Sequence, residues 1–406
     1  MSARTDDPTA PAANDSPAAE LAGSLSDQVT RDRVLEVVRD VVTELSDGRG
    51  LGLVTLDVSL ERELGLGSLE RVELAGRLER AFSVRLPEEA LGVADTPRQL
   101  LALIRRARGE GAAATAEPRA RGRALLTDAP AAEEPRELAT LVEVLEYHAR
   151  AQPDRVHIVL RGEDGEDTPI TYAALHRDAL AVARELRARG LGAGRSVAIM
   201  LPTGRGYFAS FFGALLAGGV PVPLYPPFRL DRIAEYVARQ TRILENAEAQ
   251  VMITFARASR VAELARDRVS TIAHVLAIEP LLAGVDAGRT ALATRVEISA
   301  EDTALIQYTS GSTGDPKGVE LTHANVLANI RASRIGCALK TDDIVVSWLP
   351  LYHDMGLIGG WLMCLYYGTP TVLMSPLTFL SRPERWLRTI TEFRATCSVA
   401  PNFAFD

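Results

Sequence analysis

The chain has 406 residues, of which 47% are hydrophobic and 24% charged, so a wholly disordered protein is excluded and two or three folding units are expected. The formal net charge is −8, and the first 104 residues carry all of it, so no basic block indicates a nucleic-acid partner. Three cysteines without a C-x-x-C spacing indicate neither a disulfide framework nor a cysteine zinc site, and the six histidines include no H-E-x-x-H pair. We therefore expect no metal site and a reducing, cytoplasmic compartment.

The N-terminal quarter of the chain predicts a helical unit. Residues 1–25 are rich in Ala, Pro, Ser and Asp and lack a basic start and an apolar run, so they predict a disordered leader and not a secretory signal. Apolar residues at helical spacing then predict an amphipathic helix over about residues 30–45, a second helix beginning at Ser68 and a last helix from about Thr96. Together they would form a small acidic bundle within residues 26–108.

The rest of the chain predicts a linker and an α/β domain. Residues 109–134 combine Arg, Ala, Gly and Pro without periodicity, which is typical of a linker. Over residues 135–406, short β-rich runs alternate with helical stretches, which predicts a doubly wound α/β layer structure. The chain ends directly after a strand-like run, so we expect this domain to be incomplete. The predicted strands cover about residues 196–200, 220–224, 251–254, 303–308, 344–348, 371–374 and 396–400.

Two long uncharged stretches, residues 207–228 and 355–380, are candidates for membrane spans. Glycine and proline interrupt each of them, which leaves about one short helix followed by one short strand. We therefore interpret both stretches as buried core and expect no membrane span.

The strongest local signal is Y-T-S-G-S-T-G-D-P-K-G at residues 308–318, directly after an apolar strand. Its glycines permit tight turns, its hydroxyl groups offer hydrogen-bond donors and Lys317 adds a cation, a combination that suits a triphosphate. A plain Gly/Ser surface loop would leave the preceding strand and the lysine unexplained, because only Lys317 and Lys340 are lysine among 45 basic residues. The segment is neither a Walker loop nor a nucleophile elbow. The glycine-rich run at residues 190–194 precedes a strand, so it predicts a helix end and a turn.

The segment at 308–318 resembles the signature of the adenylate-forming, or AMP-binding, superfamily. S-W-L-P-L-Y-H-D-M-G-L at residues 347–357 is similar to the next motif of that superfamily in the version found in fatty acyl-AMP ligases, and residues 221–227, 374–376 and 401–406 are similar to the same branch. The resemblance implies that the loop and its lysine hold the ATP phosphates and that His353 lies beside the acyl carboxylate. Taken alone, His353 would more often be a structural histidine, and the uncharged stretch after it could wall an acyl tunnel or be core only. The implied catalytic residues are Lys317 and His353, and the implied phosphate-binding residues are Thr309, Ser310, Gly311, Ser312, Thr313, Gly314 and Lys317.

A second resemblance lies in the helical bundle. L-G-L-G-S-L-E at residues 64–70 is similar to an acyl carrier protein, whose serine carries 4'-phosphopantetheine. The likeness implies that a phosphopantetheinyl transferase modifies Ser68, although Ser68 could instead be a helix cap only. One residue departs from the pattern, because carriers of this kind usually have aspartate where this chain has Gly67.

The two resemblances together imply a function. They imply activation of a fatty acid to acyl-AMP with ATP and Mg2+, transfer to a phosphopantetheine thiol, and a polyketide or fatty acid synthase as acceptor. Family members continue with motifs that hold adenine and ribose, so we expect the 406 residues alone to be inactive. A non-catalytic carrier and binding module with a remnant adenylation domain, and an acyl-CoA synthetase, stay open as alternatives.

Overall fold

The computed structural model separates the chain into two compact units, Met1–Thr115 and Ala116–Asp406. Each unit has its own buried core, and each is described by itself. The structure describes residues 17–45, 52, 54–60, 63–64, 66, 68–84, 94, 96–108, 122–126, 131–162, 166–227, 233–286, 295–309, 316–340 and 342–405.

The N-terminal unit contains three described helices, α1 (Pro17–Leu45), α2 (Ser68–Phe82) and α3 (Pro97–Arg108). The predicted starts of α2 and α3 are confirmed. The start of α1 is not, because the helix begins at Pro17, inside the segment that we expected to be a disordered leader. Proline is tolerated in the first turn, and the Ala, Glu and Leu residues that follow are strong helix formers, so propensity extends the helix beyond its apolar pattern. The shared core includes Val34, Val38, Val41, Leu74, Leu78, Leu100 and Ile104.

The loop between α1 and α2 is held against this core. Leu64 and Leu66 are buried, and the backbone N–H of Leu66 donates to the carbonyl of Leu60 at 2.8 Å. Arg98 of α3 donates two hydrogen bonds to the Asp57 carboxylate, at 2.6 and 2.8 Å. These contacts fix the path of the chain that leads to the N-terminus of α2.

Part of the predicted linker belongs to the second unit. Leu126 is 5% exposed and packs in a core cluster with Trp348 and Phe393. Tyr147 donates a hydrogen bond to the carbonyl of Glu133 at 2.9 Å. The linker therefore ends before Glu134. The sequence did not indicate this, because Leu126 lies in a segment without periodicity and is buried by aromatic residues far along the chain. Residues 109–121 lie outside the described residues.

The second unit is an α/β structure, and the expected layers of strands and helices are confirmed. Its strands form a five-stranded sheet of order β11-β9-β10-β1-β2, a four-stranded sheet of order β4-β3-β5-β6, and the two-stranded hairpin β7-β8. Pairing is parallel throughout the four-stranded sheet, and in the five-stranded sheet only β2 runs antiparallel to its neighbour. The strands are β1 (Val156–Arg161), β2 (Asp167–Thr171), β3 (Ser196–Met200), β4 (Val220–Leu224), β5 (Val251–Thr254), β6 (His274–Ala277), β7 (Thr303–Thr309), β8 (Lys317–Thr322), β9 (Val345–Ser347), β10 (Thr371–Met374) and β11 (Cys397–Ser398).

Helices connect these strands. The turn predicted at residues 190–194 is confirmed, because the helix Tyr172–Ala188 ends just before it. Gly190 and Gly194 adopt φ of +76° and +69°. A π-helix, Met355–Leu362, lies between β9 and β10. The α-helices are α4 (Leu141–Ala151), α5 (Tyr172–Ala188), α6 (Arg205–Leu216), α7 (Ile233–Asn246), α8 (Ser259–Arg266), α9 (Ile278–Asp286), α10 (His323–Cys337), α11 (Met363–Tyr367), α12 (Pro376–Ser381) and α13 (Glu384–Phe393).

Most of both uncharged stretches is buried core, as expected, although Met355, Leu377 and Leu380 of the second are exposed. The first contributes α6 and β4, and the second contributes the π-helix, α11 and β10. Trp361 of the π-helix is fully buried, with its ring centroid 4.7 to 6.2 Å from four aromatic rings of α6. No helix among the described residues is long and apolar enough to cross a membrane. The four α6 rings belong to Tyr207, Phe208, Phe211 and Phe212.

A stack of three buried rings joins α4, α5 and β1. Tyr172 lies between His148 and His157, with centroid distances of 4.8 Å on each side. His148 donates from Nε2 to the carbonyl of Tyr366 at 3.1 Å and accepts at Nδ1 from the Gln152 amide at 2.7 Å. This pattern needs a neutral imidazole, since a protonated ring would have no acceptor for Gln152.

Candidate functional site

The hairpin β7-β8 carries the two described ends of the predicted phosphate loop. Thr309 ends β7, Lys317 begins β8, and the two are cross-strand partners. Both side chains are exposed, so the lysine amine and the threonine hydroxyl are accessible at the end of the hairpin from which the loop emerges. Lys317 was expected in the loop and instead opens a strand. Ser310, Gly311, Ser312, Thr313 and Gly314 lie outside the described residues.

Close packing sets the start of β8. A Cβ atom on Gly318 would lie 3.1 Å from the side chains of Ile306 and Tyr308, so the position has little room for a larger residue. The Tyr308 hydroxyl donates to Oδ1 of Asn246 on α7 at 2.6 Å. Burial raises the pKa of Tyr308 to about 12, which keeps this phenol protonated as a donor. The strand that leads to the loop is therefore anchored to α7.

His353 lies between β9 and the π-helix with its side chain exposed. Its backbone N–H donates to the carbonyl of Pro350 at 3.2 Å, and its carbonyl accepts from Leu357 at 2.8 Å. The Asp354 carboxylate accepts from the N–H of Met355 at 2.8 Å. The turn around His353 is thus fixed by its backbone while the imidazole stays accessible.

Three contacts hold this turn in place, two from other elements and one within the turn. The buried Tyr207 hydroxyl donates to the carbonyl of Leu351 at 2.7 Å, and the Gln307 amide of β7 donates to the carbonyl of Tyr352 at 3.2 Å. A Cβ on Gly356 would lie 2.3 Å from the Pro350 carbonyl oxygen, so only glycine permits this backbone approach. The predicted phosphate strand and the histidine motif are therefore joined by a direct hydrogen bond, from Gln307 to Tyr352, which the sequence alone did not reveal.

The π-helix was also missed. Helices of this kind are rare and concentrate at functional sites, and no period in the sequence marks them. Here it begins two residues after His353, and the Asp354 side chain caps it.

A cavity of about 340 Å³ lies against the same turn. Its walls come from the carboxyl ends of parallel strands, the place where open α/β sheets bind ligands. Arg161 reaches the wall but is paired with Glu392 at 2.5 Å and Asp167 at 3.4 Å. A ligand in this cavity would therefore meet mainly apolar and neutral polar side chains. These include Leu160, Leu201, Thr203, Leu351, Tyr352 and Leu373.

Ser68 is the first residue of α2 in the N-terminal unit. Its side chain lies outside the described part of the structure. The buried Leu64 and Leu66 just before it and the buried Leu74 and Leu78 after it anchor the chain on both sides. This placement puts the serine at a helix N-terminus, as the sequence predicted.

Among the described residues, no three His, Cys, Asp or Glu side chains are grouped as metal ligands. Mg2+ in nucleotide sites takes most of its ligands from phosphate oxygens and water, with one or two carboxylates. The exposed hairpin end, with one ammonium group and a hydroxyl, fits phosphate oxygens.

Comparisons with known proteins match both units. Residues 145–406 match the model of the AMP-binding enzyme family, and residues 32–104 match the model of a phosphopantetheine attachment site. The chain is 34% identical over 275 residues to the medium-chain-fatty-acid–[acyl-carrier-protein] ligase JamA of Moorena producens, which covers 66% of this chain and 45% of that protein. It is 35% identical over 285 residues to the 4-hydroxyphenylalkanoate adenylyltransferase of Mycobacterium tuberculosis, covering 66% of this chain and 44% of that protein.

A solved structure supports the same relation. The crystal structure of a fatty acid AMP ligase from Legionella pneumophila superposes with a TM-score of 0.59 at 31% identity, covering 66% of this chain and 45% of that one. The chain spans about half the length of the curated relatives it matches. It belongs to the AMP-binding enzyme family and carries a phosphopantetheine attachment domain at its N-terminus.

Proposed function

We propose that the protein activates a fatty acid as acyl-AMP and passes the acyl group to a phosphopantetheine thiol on its own N-terminal unit. The observation that carries the proposal is the hairpin. Thr309 and Lys317 pair at its loop end, and Gln307 of β7 is hydrogen-bonded to the turn that presents His353. A phosphate site and a carboxylate site would then share one rigid support. Relatives named as fatty-acid ligases acting on carrier protein or forming acyl adenylates favour this assignment over a binding module.

In the proposed reaction, an acyl carboxylate oxygen attacks the α-phosphorus of ATP, the bond to the β-phosphate oxygen breaks, and pyrophosphate leaves. The Lys317 ammonium would stabilise negative charge on the phosphates, and residues 309–314 would supply hydroxyl and backbone donors. Mg2+ would screen the triphosphate. His353 would orient the carboxylate, since its accessible imidazole stands next to a backbone that three contacts hold in place.

In the second step, a thiolate sulfur would attack the acyl carbonyl and AMP would leave. When bound to Ser68, phosphopantetheine supplies that thiol on a flexible arm. A carrier in the same chain raises the effective concentration of the thiol toward the millimolar range, so free CoA would compete poorly. The phosphopantetheinyl transferase, a synthase as later acceptor and a cytoplasmic location remain predictions from the sequence.

Nucleotide binding tests the phosphate assignment without requiring turnover. Isothermal titration calorimetry of the full chain with ATP and Mg2+ should give saturable binding, and Lys317→Ala should weaken it at least about tenfold, because a charge-assisted hydrogen bond is worth roughly 1.5–3 kcal/mol. Lys340→Ala is the matched control, since Lys340 is also exposed and lies outside the hairpin. Equal affinity of wild type and Lys317→Ala would contradict the assignment.

A further inference from the structure

Gln307 is a polar residue at a buried position of the strand that leads to the phosphate loop. Alternate residues of a strand share a face, so Gln307 lies on the same face of β7 as the buried Leu305 and the exposed Thr309. Its side chain is 6% exposed, and its amide Nε2 donates to the carbonyl of Tyr352 at 3.2 Å. A buried amide that lacked a partner at this position would be costly, so the hydrogen bond determines where the side chain points.

We propose that Gln307 is a positioning residue that couples nucleotide binding at the hairpin to the turn that presents His353. The inference rests on the proposed function. Thr309 lies two residues along the strand from Gln307, and Tyr352 directly precedes His353. One side chain therefore bridges the two halves of the site, from the backbone of one to the backbone of the other.

Within the described part of the chain, the other anchors of this turn start from outside the hairpin. Tyr207 reaches Leu351 from α6, and Gly356 packs on Pro350 within the turn itself. Tyr308, the neighbour of Gln307, lies on the opposite face of β7 and donates a hydrogen bond to Asn246 of α7. Displacement of β7 by a bound triphosphate would thus reach the His353 turn through Gln307, while Tyr207 and Gly356 hold the turn in both states.

Two backbone amides report on the turn. The N–H groups of His353 and Leu357 donate to the carbonyls of Pro350 and His353, so their hydrogen–deuterium exchange measures how firmly the turn is closed. In the wild-type full chain, saturating ATP and Mg2+ should slow exchange in the peptide that spans residues 349–357 by at least about fivefold, the lower end of ordinary coupling.

Gln307→Met keeps the length of the side chain and removes its donor. We expect this variant to bind ATP within about threefold of wild type by calorimetry, yet to show less than about twofold slowing of exchange at residues 349–357. Gln240→Met is the matched control, because Gln240 is also buried but lies on α7, and it should keep the full ATP-induced slowing.

Gln307→Glu separates coupling from packing. A carboxyl group donates to the Tyr352 carbonyl only while it is protonated, so ATP-induced slowing in this variant should return as the pH is lowered, while Gln307→Met stays uncoupled at every pH. A purely structural role would give no such profile.

The outcomes distinguish the coupling role of Gln307 from the phosphate assignment. The coupling role would be overturned if Gln307→Met bound ATP and still showed full slowing of exchange. It would also be overturned if the ATP-induced slowing in Gln307→Glu did not depend on pH. Either result would leave the phosphate assignment intact. No ATP binding by the wild-type chain would overturn the phosphate assignment and the coupling together.

Discussion

Burial lowers the pKa of four histidines in the second unit, His148, His157, His176 and His323, and three of the shifts are large. Desolvation lowers the pKa of His148 to about 4 and that of His157 to about 3, and it lowers the pKa of His323 to about 4. His323 accepts a hydrogen bond at Nδ1 from the N–H of Leu141 at 3.1 Å, which also requires the neutral ring. All three imidazoles are therefore uncharged in the folded protein at neutral pH.

These histidines should make the second unit sensitive to acid. In the unfolded chain a histidine titrates near pH 6.5, so between about pH 6.5 and 4 the unfolded state binds more protons than the folded one, and stability falls as the pH falls. His157→Phe keeps a ring against Tyr172 and removes one titrating group. The free energy of unfolding is measured by denaturant titration at several pH values. As the pH is lowered across this range, it should fall less steeply in the variant than in wild type, by about 1.4 kcal/mol per pH unit. If stability depended on pH with the same slope in variant and wild type, folding would not lower the pKa of His157.

Gly356 and Gly359 offer a matched test of backbone contact in the π-helix. A Cβ at Gly356 would meet the Pro350 carbonyl oxygen at 2.3 Å, whereas a Cβ at Gly359 would have no neighbour within 4 Å. Gly356→Ala should therefore lower the free energy of unfolding by about 1–3 kcal/mol and speed exchange around His353, since backbone must move. Gly359→Ala should be neutral or slightly stabilising. Equal effects of the two substitutions in urea titrations would contradict the close approach.

At the scale of elements, the strands predicted most accurately are fully buried ones. The strands β3, β4, β5 and β10 were predicted at their observed bounds, because each is a short, fully buried run of apolar residues between turns. Strand β8 was missed because most of its side chains are exposed, so it has no apolar pattern, and pairing with β7 makes it a strand. The π-helix and the contact of Gln307 depend on partners far along the chain, which no local pattern encodes. For the phosphate loop, the sequence predicted which residues form it, and the structure adds that Thr309 and Lys317 at its two ends are paired.

Helix α2 is the element that should carry the prosthetic group. Full-length protein incubated with CoA and a broad-specificity phosphopantetheinyl transferase should gain one phosphopantetheine by intact mass, because Ser68 stands at the start of a helix that follows an anchored loop. Ser68→Ala should gain nothing, and Thr43→Ala, which removes an exposed hydroxyl from α1, should behave as wild type. Modification of Ser68→Ala would place the attachment site elsewhere.

At the scale of the whole molecule, two separate cores predict two separate unfolding transitions. Val38 and Val29 lie on the same helix, but Val38 is fully buried and Val29 is 67% exposed. Val38→Ala should destabilise the N-terminal unit by about 2 kcal/mol, and Val29→Ala should have little effect. Hydrogen exchange resolved by peptide should show faster opening in α1, α2 and α3 only. Loss of protection in the β-sheets of the second unit would mean that the two units unfold together.

The arginine-rich composition has a practical consequence for the exposed start of β8. Primary amines in this chain are confined to the N-terminus, Lys340 and Lys317. Reductive methylation with carbon-13 formaldehyde would therefore place isotope-labelled dimethylamines at three positions, and a protein of 43.8 kDa would give a methyl spectrum simple enough to assign with two single substitutions. The resonance of Lys317 would then report directly on any anion that approaches the loop end of the hairpin, while the other two serve as internal references.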